Sequence, residues 1–116
     1  DYIRPTLSLP NPLQVGAPTG LTLASGTVHN LTDVNNNVTY RIRCDWTAST
    51  DPFVTEYIVQ YKLTSSSTFL TGGITNDTTF FIAPVGTGEV YNVRVAARNE
   101  LDRRSDFANA AAHTVS

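Results

Sequence analysis

The clearest pattern in this chain is a period-two alternation of apolar and polar residues that ends at its only tryptophan. Tyr40, Ile42, Cys44 and Trp46 alternate with threonine, arginine and aspartate side chains. Successive side chains of a strand point to opposite sides, so one face of this segment meets a core and the other meets water. The pattern therefore predicts a half-buried strand.

The same alternation returns twice, first in a strand from about Thr55 to Leu63 and then in a strand that begins near Tyr91. No segment has the spacing of an amphipathic helix. Three half-buried strands separated by turn residues are typical of an antiparallel sandwich. The predicted fold is all-β, an antiparallel sandwich that has seven strands once the weaker signals are added.

The remaining strands are assigned from weaker signals. Pro18 opens the first strand, and residues 27–38 are predicted to form a protruding hairpin. Phe69 and Leu70 begin a short strand that Gly72 and Gly73 are expected to break. A strand at residues 80–82 ends at Pro84, and an alanine-rich last strand covers about residues 108–115.

The predicted core consists of the inward-facing positions of these strands and of one turn. Its members are Leu21, Leu23, Tyr40, Ile42, Cys44, Trp46, Tyr57, Val59, Tyr61, Ile82, Val85, Tyr91, Val93 and Val95.

The composition of the chain excludes some classes of binding partner but does not identify a partner. The chain has 116 residues, a formal net charge of -2, 41% hydrophobic and 16% charged residues. This balance gives no long-range field that would attract nucleic acid, and no apolar run is long enough to insert into a membrane. A single cysteine, Cys44, excludes an internal disulfide and is predicted to be a small core residue.

Domain organisation follows from the prolines. Residues 1–17 contain Pro5, Pro10 and Pro12 without alternation, which indicates a proline-containing linker, and residues 18–116 form the domain. The chain begins on Asp1 without a methionine, so we expect it to be an excised part of a longer protein.

From Pro18 to about Val115 the chain resembles a fibronectin type III domain, which implies a seven-stranded antiparallel immunoglobulin-like sandwich. The resemblance rests on Trp46 in the second strand, on the Tyr57-x-Val59-x-Tyr61 pattern in the third, and on the turn from Val85 to Tyr91. It implies that Tyr91 is a tyrosine corner whose hydroxyl bonds backbone a few residues upstream. Asp102 stands where the family usually has glycine, and the segment between Leu23 and Tyr40 is longer than usual.

The chain is also similar to the type III domains of tail-tip host-specificity proteins of tailed bacteriophages. This likeness lies in the proline-spaced lead from Ser8 to Pro12, in Tyr57 to Lys62, and in Tyr91 to Asn99. It implies a location in the virion tail, or more generally at an extracellular surface.

Several arrangements that could carry chemistry are incomplete. Asp33, Asn35 and Asn37 match the first ligand positions of an EF-hand loop, but Val38 occupies the obligatory glycine position and Cys44 the bidentate glutamate position. We interpret this segment as a turn with local side-chain bonds.

The two histidines, His29 and His113, are not tied to any nucleophile motif. Arg94 and Arg98 share an outward face with acidic residues interspersed, which is typical of a solvated surface. We therefore predict no catalytic, metal or cofactor site, and no enzyme activity.

The candidate contact residues lie in the long hairpin and in the loop after the sixth strand. They are His29, Asn30, Asp33, Asn35, Asn36, Glu100, Leu101, Asp102, Arg103 and Arg104. The expected partners are other domains of the same or neighbouring chains, or a host-surface receptor.

Three functions remain open from the sequence. The first is a rigid spacer in a phage tail-tip or host-attachment protein. The second is an accessory domain of a secreted bacterial polysaccharide-degrading enzyme. The third is an adhesion-receptor module, in which the Asn-x-Thr sequons at Asn30, Asn37 and Asn76 would carry glycans.

Overall fold

The computed structural model describes residues 15–116, so the first fourteen residues of the predicted linker lie outside the described residues. Ten strands and one turn of 3-10 helix, Thr27–His29, follow one another along this part of the chain. The strands are β1 (Thr19–Ala24), β2 (Leu31–Thr32), β3 (Val38–Thr39), β4 (Ile42–Thr47), β5 (Val54–Leu63), β6 (Leu70–Thr75), β7 (Thr79–Ile82), β8 (Val90–Asn99), β9 (Ala108–Asn109) and β10 (His113–Thr114).

Two antiparallel sheets form the sandwich. The smaller sheet has the order β1-β4-β7, and the larger has β6-β5-β8 with both β9 and β10 along the other side of β8. If β9 and β10 are counted as two parts of one last strand, the sandwich has seven strands. The predicted all-β immunoglobulin-like fold is therefore confirmed, and the β2-β3 hairpin is an addition to it.

The core lies between the inner faces of the two sheets. The turn before β8 also contributes to it. Buried and half-buried positions alternate along β4, in the middle of β5 and in the first half of β8, as the sequence pattern requires. The buried core residues are Ile42, Cys44, Trp46, Tyr57, Val59, Ile82, Val85, Tyr91, Val93, Val95, Ala97 and Val115. Leu21, Leu23 and Tyr61 lie partly buried at its margin.

Tyr40 does not belong to the core, contrary to the sequence prediction. Its side chain is 37% exposed, because β4 begins only at Ile42, where pairing with Ile82 of β7 starts. The Tyr40 carbonyl instead accepts a hydrogen bond of 3.0 Å from Val85 N. The alternation of apolar and polar residues thus begins at Tyr40, two residues before the strand β4 itself.

The prediction that two glycines end the short strand was also wrong, since β6 runs through both of them. A Cβ atom at Gly73 would come within 2.7 Å of Phe80 Cζ, so the ring of Phe80 occupies the space that a side chain would need. Glycine is thus required here by a close approach between the sheets rather than by chain reversal.

The last strand differs from the continuous segment that was predicted. β9 pairs with β8 at Arg94 and Val95, whereas β10 pairs with it at Val90 and Tyr91. Between them residues 110–112 leave the ladder, although Ala110 N still donates to Val93 O at 3.1 Å. Alanine-rich sequence carries no alternation that could have located this break.

Tyr91 lies where the tyrosine-corner resemblance implies. Its hydroxyl donates to Glu89 Oε1 at 3.1 Å and has a backbone hydrogen bond with Gly86. Burial, followed by the hydrogen bond to Glu89, raises the pKa of this phenol. Gly88 has a φ of 81°, a conformation that favours glycine in the turn leading to β8.

Paired isoleucine substitutions test the assignment of the core. Ile42→Ala removes a fully buried side chain and should lower the free energy of unfolding by about 2–5 kcal/mol, through lost burial and a residual cavity. Ile74→Ala removes the same atoms from a half-exposed position of β6 and should cost less than about 1 kcal/mol. Urea denaturation of both variants measures the difference, and equal losses would contradict the assignment.

Candidate functional site: the two ends and the outer face of the sandwich

The predicted contact residues are divided between opposite ends of the sandwich. Strand pairing places the end of β1 beside the start of β4, and a contact between Ser25 and His113 brings the start of β8 to the same end. We call this the hairpin end, because it carries the β2-β3 hairpin. The end of β4 and the pair Val54–Asn99 define the other end, which we call the loop end.

At the hairpin end, Asp33 organises the tip of the hairpin. One carboxylate oxygen, Oδ1, accepts hydrogen bonds from Asn35 N at 2.8 Å and Asn37 N at 3.0 Å, and the other accepts from Asn37 Nδ2 at 3.3 Å. The backbone bonds from Asn37 and Asn35 lower the pKa of Asp33. The segment is therefore a turn with local side-chain bonds, in which Asn36 has a left-handed φ of 63°.

The base of the hairpin is fixed by Arg41. Its Nε donates to His29 O at 2.7 Å, its backbone N donates to Asn30 Oδ1 at 3.4 Å, and its guanidinium lies 3.8 Å from the ring centre of Phe81. His29 and Asn30 thus serve the packing of the hairpin, whereas Asp33, Asn35 and Asn36 are exposed at its tip.

At the loop end, Asn99 fixes the loop that follows β8. Its buried side chain accepts hydrogen bonds from Leu101 N at 2.9 Å and Arg103 N at 3.1 Å. Asp102 adopts a left-handed φ of 59°, and its backbone N donates to Asn99 O. Glycine is usual at this position in the type III family, and an aspartate tolerates the same conformation.

An apolar hollow lies beside this loop. It has a volume of about 390 Å³ and is lined by Pro52, Phe53, Thr55, Asn99, Glu100 and Leu101. Phe53 and Leu101 are both exposed, and Phe53 N donates to Asp51 Oδ1 at 2.9 Å. Exposed apolar side chains beside polar groups of this kind are typical of a surface that contacts another protein.

The chain enters at the loop end. Gly16 N donates to Asp51 Oδ2 at 3.1 Å, and Ser49 Oγ donates to Gly16 O at 2.7 Å. Val15 packs against the core. Residues before Pro18 therefore already contact the sandwich, although the sequence analysis assigned them to the linker.

The chain leaves at the hairpin end. Ser116 N donates to Ser25 Oγ at 2.9 Å, and Ser25 Oγ lies 2.8 Å from His113 Nε2. A catalytic serine and histidine pair needs a third group that orients the imidazole. Among the hydrogen bonds of the described residues, none reaches His113 Nδ1, so we interpret this contact as a clasp between β1 and the last residues.

Sequence reasoning missed an ordered layer on the outer face of the larger sheet. The Arg94 guanidinium lies 3.9 Å from the ring centre of Phe69 and 4.0 Å from that of Phe107, and it donates twice to Gln60 Oε1. Arg104 lies 4.3 Å from the Phe107 ring centre. Ala96 is fully buried although it shares this outer face with Arg94.

The outer layer explains why its rings are not free binding platforms. Guanidinium groups cover Phe69, Phe107 and, on the smaller sheet, Phe81. Arg98 pairs with Glu56 at 2.7 Å rather than facing solvent alone. Phe107 precedes β9 in an irregular segment, so only the pairing of β9 with β8 brings it to Arg94, and no local signal could have found it.

The described residues contain no group of three or more histidine, cysteine or acidic side chains arranged to hold a metal ion. None of their helices has the length and apolarity needed to cross a membrane. Cys44 is buried, and desolvation, followed by the charge of Asp45, raises the pKa of its thiol to about 12, which makes it unreactive near neutral pH.

Comparison with known proteins supports the fold. No protein family and no curated protein matches the sequence. Solved structures do match: domains of titin (TM-score 0.68, 18% identity, 88% of this chain and 32% of that one) and titin kinase with its flanking domains (0.66, 20%, 89% and 17%). A myokine structure also matches (0.65, 12%, 88% and 98%).

These similarities support a sandwich fold of the fibronectin type III-like or immunoglobulin-like kind. The chain spans about a third or less of both titin structures, and nearly the whole of the myokine. At identities of 20% or below, the likeness concerns the fold alone.

The clasp predicts a pH dependence of stability. Burial lowers the pKa of His113 below its ordinary value of 6.5. The unfolded chain then takes up a proton at higher pH than the folded chain, so the free energy of unfolding should decrease as the pH falls below about 6.5. Thermal melts between pH 8 and pH 5 should show this decrease, with a smaller slope for His113→Gln; an unchanged slope would contradict it.

The outer layer predicts a specific cost for losing one ring. Phe107→Leu keeps an apolar side chain but removes the π face against two guanidinium groups, and should lower the free energy of unfolding by about 0.5–2 kcal/mol. Phe53→Leu is the matched control, because no cation contact is found for this exposed ring among the described residues. Equal effects of the two substitutions in urea would remove any special role for the stack.

Proposed function

We propose that this chain is a non-catalytic structural and interaction module that separates its neighbours and presents ordered loops at both ends. The observation that carries the proposal is the path of the chain. Gly16 is bonded at the loop end and Ser116 at the hairpin end, so the described part of the chain runs from one end of the sandwich to the other. A domain with this geometry acts as a spacer.

The order of the loops supports a role in contact. Asp33 fixes the hairpin tip and Asn99 fixes the loop after β8, each through bonds from its side chain to backbone amides. A surface that is ordered before binding loses less conformational entropy when a partner binds. The exposed Phe53 and Leu101 supply apolar area at the loop end.

For the setting, we propose a phage tail-tip or host-attachment protein, with a location in the virion tail or at an extracellular surface. The proline-spaced lead and the strand sequences from Tyr57 and Tyr91 support it. The partners would be domains of the same or neighbouring chains, or a host-surface receptor. A catalytic domain in the flanking sequence would instead favour an accessory module of a polysaccharide-degrading enzyme.

Hydrogen exchange on the parent protein tests the proposal. Amide exchange in residues 31–39 and 99–104 is measured in this chain alone and in the full-length protein that contains it. We expect slower exchange in at least one of the two segments in the full-length protein, because a contacting domain would cover it. The β5-β8 ladder serves as the internal control and should not change.

Separate loop replacements then assign the contact to an end. A short turn in place of residues 33–37 and another in place of residues 100–103 should each remove protection only at its own end, with a small change in melting temperature. Equal exchange of both segments in the two proteins would overturn the role of these loops in contact.

A further inference from the structure

β6 is an outer strand of the larger sheet, and one of its edges is free. Within the part of the chain that the structure describes, it pairs with β5 alone. Its sequence, Leu-Thr-Gly-Gly-Ile-Thr, contains neither a charge nor a proline, and Leu70 and Ile74 are 58% and 49% exposed. Soluble proteins usually protect such an edge with charges, prolines, bulges or very short strands, because its free backbone groups can pair with another strand. Of these features β6 has only a bulge.

A bulge gives β6 an unusual order of facing side chains. Pairing runs from Val59–Gly73 directly to Gln60–Thr71, so Gly72 is an extra residue in this strand. Thr71 and Ile74 therefore share the outer face with their partners Gln60 and Ile58. A Cβ at Gly72 would meet the side chains of Tyr61 and Phe80, and so Gly72 faces inward like Gly73.

The resulting order is in-out-in-in-out-in from Leu70 to Thr75, which reads the same in both directions. In an antiparallel pair, residues directly opposite one another share a face. A two-fold axis between Gly72 and Gly73 would place Leu70 opposite Thr75, and Thr71 opposite Ile74, of a second copy. Every such pair matches inward with inward or outward with outward, whereas strict alternation without the bulge would mismatch all of them.

We propose that β6 pairs antiparallel with β6 of a second copy of this chain, which joins the two larger sheets into one continuous sheet. The interface is isologous, so a single strand supplies both halves. The two glycines at its centre carry no side chains on the inner face beside the two-fold axis. Thr71 of each copy lies beside Ile74 of the other on the outer face.

The other outer strands fit a second copy less well. β1, like β6, contains an irregularity, but Gly20 of β1 has a left-handed φ of 67°, whereas no residue of β6 has a positive φ. β7 has four residues, and the guanidinium of Arg41 covers its Phe81. The side of the larger sheet opposite β6 is divided between two strands of two residues each, β9 and β10.

The small area of the proposed β6–β6 interface limits the affinity of the dimer. Six paired residues span roughly 20 Å, which places the buried area at the low end of specific interfaces. We therefore expect a weak dimer that forms in a concentration-dependent way, rather than an obligate one. In a multimeric parent protein, the local concentration of copies would strengthen it.

Sedimentation of this chain over a range of concentrations tests the proposal. We expect a reversible monomer–dimer equilibrium. Thr71→Lys should weaken association by at least about tenfold, because a symmetric dimer contains the change twice and each lysine meets an apolar partner. Thr114→Lys on β10 is the matched control, with the same charge at an exposed position on the other side of the sheet, and should leave the equilibrium unchanged.

Mixing two cysteine variants tests the register. Thr71→Cys and Ile74→Cys oppose each other only between copies, so mild oxidation should link the mixture into a dimer and link either variant alone far less. The buried Cys44 gives no background, and thermal melts establish that each variant is folded.

A chain that remains monomeric at every concentration overturns the proposal. Equal weakening by the two lysine variants would do the same, as would cross-linking of each cysteine variant with itself. Protection of β6 only in the full-length protein would instead indicate a strand from a different domain as its partner.

Discussion

Burial of the inner faces of β4, β5 and β8 against one another is the constraint on which the rest of this structure depends. Trp46 and Tyr57 meet edge to face with ring centres 5.5 Å apart, and Val59, Val93 and Val95 fill the space beside them. Apolar burial of this kind is the main favourable contribution to folding. Because this burial involves one face of every long strand, only the outer faces, the strand edges and the turns remain accessible to other molecules.

The outer face of the larger sheet is itself largely occupied. Arg94 lies between Phe69 and Phe107, and Arg98 bonds Glu56. These contacts join segments that are far apart in sequence, and they bury Ala96 beneath them. From the sequence alone, these arginines could suggest a binding site for an anion. In the structure they contact rings and a carboxylate of the same sheet, so their presence does not predict a ligand.

The turns at the two ends share one device, a side chain that accepts hydrogen bonds from its own backbone. Asp33 does this in the hairpin and Asn99 in the loop after β8. Each device needs only local chain, so a loop can change in length or sequence while the core remains intact. The surfaces at the two ends of the sandwich are therefore separate, and each is ordered by its own local hydrogen bonds.

The sequence by itself determined the strands with strict alternation, since Ile42 to Trp46, Tyr57 to Tyr61 and Tyr91 to Val95 express a period that any half-buried strand must have. It also determined the hairpin, whose turn residues act locally. Only the tertiary structure decided that Tyr40 is exposed, that β6 continues through Gly73 beneath the ring of Phe80, and that the two loops proposed for contact lie at opposite ends. These outcomes depend on which segments meet across the sandwich, and a local pattern does not contain that information.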